Sequence, residues 1–293
     1  MKGVNFIMLL INSLKFKLTR SLLLCFAFII SHNFSAQNKL TKPNLWDNFI
    51  TDMGDGFNGI GYAYTRPLKW KGMQFMNVGV ISLSTLGIYA IDEDISRNFI
   101  KNKENVPDFL LKYGWYAGSP QINYGFIGSI YLSGLLSGNN KLRRTGILLL
   151  SSATATGFLQ QLTKSSTGRA RPDAELGKNH FRPFGGSSAY RSFPSGHAVL
   201  TFTTAHAIAK QFNSWWLKVP IYTLGIIPGL SRIYEGAHWM SDVVLSWSIS
   251  YFVVEAIDKY LNSKHDLNNN NLKNKTSMNL IFSKNTLGML IAF

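Results

Sequence analysis

An all-α fold, a bundle of six helices, is predicted by three features of this 293-residue chain. Six apolar stretches follow one another, charged residues make up only 15%, and strict period-two alternation is confined to the C-terminal end. A soluble protein averages about 25% charged residues, so the deficit points to membrane contact.

The elements can be justified in order. Lys2, Lys15, Lys17 and Arg20 precede the apolar run SLLLCFAFII and the small-residue end Phe34-Ser35-Ala36. This is the pattern of a secretory signal peptide, residues 1–36, cut after Ala36. Cutting there removes four positive charges, taking the formal charge from +15 to +11, and also removes Cys25, the only cysteine. Residues 37–72, rich in Trp, Tyr, Phe and Gly, read as an interfacial or loop segment. Helices are then expected near 73–91, 122–138, 145–163, 197–211, 215–230 and 242–261, inside a domain of residues 73–262. Their lengths sit at or below the roughly 20 residues that cross a bilayer. The bundle is therefore either membrane-embedded or a compact domain with buried helices. Residues 263–276, with the run LNNNNLKNK, read as a linker. In 277–293, Leu287, Met289, Ile291 and Phe293 alternate, which predicts a terminal strand or short C-terminal hairpin.

The chemistry lies in three stretches: KSSTGRARP from Lys164, FPSGH from Phe193 and SRIYEGAHWMSD from Ser231. A phosphoryl group in transfer spreads negative charge over three oxygens, so catalysis needs fixed positive charge and positioning. Lys164, Arg171 and Arg232 supply that charge, and each guanidinium can fork onto two oxygens. Ser195 stands at the expected N-cap of an apolar helix, where free backbone N–H groups attract anions. Two histidines remain, and hydrolysis through a covalent intermediate needs a nucleophile and an acid. Asp242 lies four residues after His238, so in a helix its carboxylate would meet the imidazole and fix the tautomer. His238 is thus the expected nucleophile and His197 the expected general acid.

Together the three stretches resemble the K-x6-R-P, P-S-G-H and S-R-x5-H-x3-D motifs of the type 2 phosphatidic acid phosphatase superfamily, which also holds bacterial acid phosphatases and vanadium haloperoxidases. The resemblance covers about residues 73 to 260. It implies a phosphohistidine intermediate at His238, His197 as acid, Asp242 beside the nucleophile, and phosphate held by Lys164, Arg171, Ser195, Gly196 and Arg232. It implies neither metal nor cofactor. His197, His238 and Asp242 would also make a metal-binding trio, but three converging cations oppose a metal.

Other polar residues receive lesser expectations. His206 falls on the far side of its helix, a packing histidine. His180 and Arg182 lie in a polar loop that is either solvated or in contact with substrate beyond the phosphate. Arg169 has no assigned role, and Glu235 is a structural partner for a nearby arginine.

The expected function is hydrolysis of a lipid phosphomonoester or lipid pyrophosphate at the cell envelope, the partners being a phosphorylated lipid and the membrane. Nucleic acid is not expected, because no binding module accompanies the positive charge. Three alternatives share these residues: a soluble periplasmic acid phosphatase, a vanadium haloperoxidase and a non-catalytic lipid-binding protein. If all six helices span, the motifs share one face and the loop GNNKLRR lies opposite, which places the site in the periplasm. A cleaved signal would reverse that sidedness, so residues 37–72 must then cross or some helices must not.

Overall fold

A computed structural model describes residues 44–273, 277–283 and 286–292. The expected signal peptide and Cys25 lie outside the described residues. Helix α1 (Leu45–Thr65) begins at Asn44, whose side chain accepts from the Trp46 backbone N–H at 3.1 Å. It turns Asp52, Gly56, Gly59 and Ala63 inward and leaves Trp46, Ile50 and Phe57 exposed. Residues 45–65 are therefore helical, which corrects the loop alternative of the expected loop or interfacial segment over 37–72. The glycines each cost about 1 kcal/mol of helix propensity, but they let α1 approach the bundle closely. A Cβ on Gly59 would lie 3.2 Å from Ile257, so packing overrides propensity here.

Helix α2 (Met73–Ala90) follows the expected stretch and buries no residue. Two short helices come next, α3 (Asp92–Lys101) and α4 (Asp108–Ala117), neither of them among the six expected. Their amphipathic turns lack a long apolar run. In α3 the acidic first turn, Asp92, Glu93 and Asp94, and Lys101 in the last turn complement the helix dipole.

The remaining four match expected helices, and α6 and α8 run beyond their expected ends. They are α5 (Pro120–Ser137), α6 (Asn140–Thr167), α7 (Gly196–Ala209) and α8 (Trp215–Tyr234). Helix α6 is capped by Asn139, which accepts from the Leu142 N–H at 3.0 Å, and is stopped by Gly168 in the left-handed region at φ 57°. The last helix, α9 (Met240–Lys273), runs through most of the expected Asn-rich linker, so that segment is helical rather than a linker. Strands β1 (Ser277–Ser283) and β2 (Thr286–Ala292) pair antiparallel with Ser283 opposite Thr286, the hairpin anticipated from the alternation.

The main core is built where α5, α6, α7 and α9 meet, with Ile127, Leu148, Leu149, Leu200, Val254 and Ile257 buried together. Each such side chain stabilises the fold by about 1.5–3 kcal/mol. Hydroxyls stitch the same helices: Thr203 Oγ1 lies 2.9 Å from Ser250 Oγ and 3.3 Å from Thr156 Oγ1. A smaller cluster of Ala198, Ile233 and Val243 lies at the end where α7 starts and α8 stops. Among the described residues, two helices are long and apolar enough to cross a membrane, Met73–Ala90 and Met240–Lys264.

Candidate active site

Four helix ends meet at one end of the bundle and carry the three motifs. Lys164 stands in the last turn of α6, Ser195 and Gly196 open α7, Arg232 stands in the last turn of α8, and Asp242 lies in the first turn of α9. His238 occupies the turn between α8 and α9, where Gly236 takes φ 67°. All of the expected site residues are therefore brought together by topology.

The donors are buried and mostly uncommitted. The Lys164, Arg232 and His238 side chains are 7%, 2% and 3% exposed, values that would be costly for charges without a counter-ion. Ser195 is the N-cap of α7 as expected, yet its Oγ does not cap the helix. That hydroxyl, Arg171 Nε, His197 Nε2 and Arg232 Nε are all buried without a hydrogen-bond partner among the described residues. Arg232 is flanked by Glu235 at 2.5 Å, the structural partner expected for it, and by the Trp115 ring at 4.8 Å. Trp115 also packs on the His197 ring at 5.6 Å.

This positive field sets the ionisation of its members. Burial first, then Arg232 and Lys164, push the His197 imidazole down to about 4. Burial, Lys164 and Arg171 hold His238 well below its ordinary value, so its ring is neutral. Burial, Arg171 and Arg191 bring Lys164 down to about 7. Each of these shifts is of the kind that an incoming anion would reverse.

The orientation of His238 corrects the sequence expectation. Its Nδ1 donates to the Ser192 backbone carbonyl at 2.5 Å, while Asp242 Oδ2 is 3.9 Å from that nitrogen. The i, i+4 argument required a helix at His238, but α9 begins only at Met240. Asp242 instead accepts from Ser192 Oγ at 2.5 Å, from the Trp239 N–H at 3.0 Å and from Arg169 Nη1 at 2.5 Å. Its oxygens are thus spent on the loop that carries Ser192, and it does not join the histidines as a metal-ligand set.

Arg169, given no role from the sequence, is the hub of this layer. It is 1% exposed, donates Nη2 to Asp92 at 2.9 Å and Nε to the Lys178 carbonyl at 3.2 Å, and stacks on Tyr89 at 4.6 Å. Asp92 in turn accepts from the Ser241 N–H at 2.9 Å. The signal that pointed to Arg169 was its place inside the first motif. Nothing marked Asp92, Ser192 or Trp115. His206 lies away from the site as expected, with Nδ1 at 2.8 Å from Tyr222 Oη and Nε2 at 3.1 Å from Glu255. His180 and Arg182 are exposed and gather around the Tyr190 ring at 5.7 and 5.5 Å.

Residues 145–264 match the family profile of the PAP2 superfamily. A lipid A 1-phosphatase of Rhizobium etli is 29% identical over 188 residues, 61% of this chain and 79% of that protein. A second, from Rhizobium johnstonii, is 38% identical over 101 residues, 34% of this chain and 41% of its own length. The crystal structure of a transmembrane PAP2-type phosphatidylglycerolphosphate phosphatase from Bacillus subtilis superposes with a TM-score of 0.47 and 21% identity, covering 63% of this chain and 95% of that one. The matched segment holds all three motifs, with Lys164, Arg171, Ser195, Gly196, His197, Arg232, His238 and Asp242, and over residues 145–264 this chain is similar to the PAP2 superfamily.

Proposed function

We propose that this chain is a lipid phosphatase that removes phosphate through a histidine-bound intermediate. The observation that carries the reading is the set of buried, unpartnered polar atoms, Ser195 Oγ, His197 Nε2, Arg171 Nε and Arg232 Nε, gathered with Lys164. Such a cradle, left unpaired, would cost about 1–3 kcal/mol for each group, and a bound phosphate would satisfy them together.

With Nδ1 donating to Ser192, the free lone pair of His238 lies on Nε2. That nitrogen attacks phosphorus, the bond to the leaving oxygen breaks, and His197 gives its proton to that oxygen. Water then attacks the phosphorus of the phosphohistidine, His197 takes the proton, and inorganic phosphate leaves with His238 neutral again. Lys164, Arg171, Arg232 and the start of α7 hold the equatorial oxygens throughout.

The lipid part of the reading is supported by the names of the two Rhizobium relatives and by the apolar surface. Helix α2 exposes Phe75, Val80, Leu83 and Leu86, and the start of α8 exposes Trp215 and Trp216 beside Lys218. In this proposal α2 and the Met240–Lys264 part of α9 cross the bilayer, and the site faces outward. Arg143 lies 21 residues before Lys164 on α6, or about 31 Å, close to the thickness of a hydrocarbon core.

Phosphate release by the purified chain and by His238→Ala tests the reading, with phosphorylated lipids in detergent compared with soluble monoesters. Release from lipids that vanishes in the variant supports it. Unchanged release in the variant, or equal turnover of soluble esters, defeats it.

A further inference from the structure

We propose that Arg191 forms a second anion subsite beside the reacting phosphate, so that the preferred substrate carries two adjoining phosphoryl groups as a lipid pyrophosphate. This rests on the phosphatase reading above and goes beyond it by naming the class of substrate.

Placement comes first. The strip before α7 is pinned to the cradle on either side of Arg191. The Ala189 carbonyl accepts from the Arg171 N–H at 2.9 Å, and the Ser192 N–H donates to the Arg169 carbonyl at 3.1 Å. The Ser192 carbonyl holds the nucleophilic ring itself. From this fixed backbone the half-buried Arg191 side chain reaches α6 and donates Nη2 to Gln161 Oε1 at 3.0 Å. Gln161 precedes Lys164 by three residues, which makes the two neighbours on one face of α6. The Arg191 guanidinium therefore lies within about one helical turn of the phosphate-binding lysine.

Charge comes second. Four arginines packed in and beneath the bundle are neutralised: Arg169 by Asp92 and Asp242, Arg232 by Glu235, Arg143 by Asp52 and Arg144 by Asp258. Among the described residues, neither Arg171 nor Arg191 has a carboxylate within ion-pair distance. Arg191 is held only by a neutral amide, which it can leave without stranding a buried charge. Lys164, Arg171 and Arg191 thus form a run of positive charge with no internal counter-ion. A single terminal phosphate brings roughly two negative charges. A pyrophosphate adds a second phosphoryl group next to the first, and a forked guanidinium is suited to bind it. Arg182 lies further out on the same loop over Tyr190 and adds to the field without a place in the subsite.

The experiment uses the full chain in detergent with two probes of one chain length, a prenyl pyrophosphate and the corresponding prenyl monophosphate. In Arg191→Gln, kcat/KM for the pyrophosphate should fall about 10- to 100-fold further than kcat/KM for the monophosphate, the worth of one charge-assisted hydrogen bond. Arg191→Lys should recover part of the loss, because charge is retained and the fork is not. Equal losses on both probes, or no loss on either, overturn the subsite while leaving the phosphatase reading intact. Absence of His238-dependent phosphate release from either probe by the wild-type chain overturns both. The unfolding transition of Arg191→Gln in detergent, compared with that of the wild-type chain, controls for folding.

Discussion

His238 and Ser192 are joined by a hydrogen bond from the imidazole Nδ1 to a backbone carbonyl at 2.5 Å, and Asp242, whose Oδ2 lies 3.9 Å from that nitrogen, hydrogen-bonds to the loop that carries this carbonyl. Asp242 therefore acts on Ser192 Oγ and the Trp239 N–H, and the position of the ring depends on both. Asp242→Asn and Ser192→Ala should each lower kcat about 10- to 100-fold, less than His238→Ala, if each removes one hydrogen bond to a charged group. Because the two groups act as one unit, the double variant should lose little more than either single variant, a coupling of about 0.5–3 kcal/mol. Strictly additive losses would separate Asp242 from the Ser192 loop and defeat this relationship.

The motifs made the cradle legible because each of its parts sits at a helix end, and helix ends are marked by local chemistry. Ser195 before an apolar run and Gly168 after one could be read directly. Six helices could be read for the same reason, since each carries a long apolar run. Helix α1 was hidden by glycines whose value lies in contacts with α6 and α9, which no local pattern records. Asp92 was hidden by distance, being 149 residues from the Ser241 N–H that it accepts. The role of Asp242 was misread because the i, i+4 rule was applied from His238, two residues before the helix begins. Local rules located the groups gathered at the helix ends, and tertiary contacts alone determined what holds those groups.

Arg169 ties Asp92 of α3 to Asp242 of α9 in a site with almost no exposure. Arg169→Met leaves two buried carboxylates without their shared partner and should cost about 3–5 kcal/mol of stability. Adding Asp92→Asn to that variant should restore part of the loss, since one of the stranded charges is removed. Unfolding followed in detergent measures both. A loss below about 1 kcal/mol in Arg169→Met would show that the pair of aspartates is satisfied by other means.

The depressed ionisation of Lys164 and His197 makes a signed prediction for anion binding. Their pKa values, about 7 and about 4 in the free site, are lowered by burial and by neighbouring cations. A bound oxyanion raises both, so protons are taken up wherever the pH lies between the free and bound values. For Lys164 that window opens at about pH 7 and extends upward. Affinity for orthovanadate or phosphate should therefore weaken as pH rises through it, by up to about tenfold per unit for one proton. Calorimetric titration at pH 8 in buffers of different ionisation enthalpy counts the protons directly. Zero uptake, or proton release, would contradict the assignment of Lys164 to the cradle.

Gly118, just past the end of α4, is where a short helix meets the expected general acid. A Cβ there would lie 2.2 Å from His197 Cδ2 and 2.6 Å from its Cβ, contacts that side chains cannot tolerate. Trp115 on the same helix packs on His197 and on Arg232, so any retreat of α4 also disturbs these contacts. Gly118→Ala should therefore displace either the ring or the helix, at about 1–3 kcal/mol for overpacking. Turnover should fall by more than the stability loss explains, because the ring moves even in the folded fraction. Gly125, within α5, provides the control, having no atom within 4 Å of an added Cβ. There alanine should leave turnover unchanged and add about 0.5–1 kcal/mol through helix propensity. Comparing kcat for folded protein in the two variants, normalised to unfolding curves, decides the matter. Equal kcat in both would mean that α4 merely covers His197 and does not set its position.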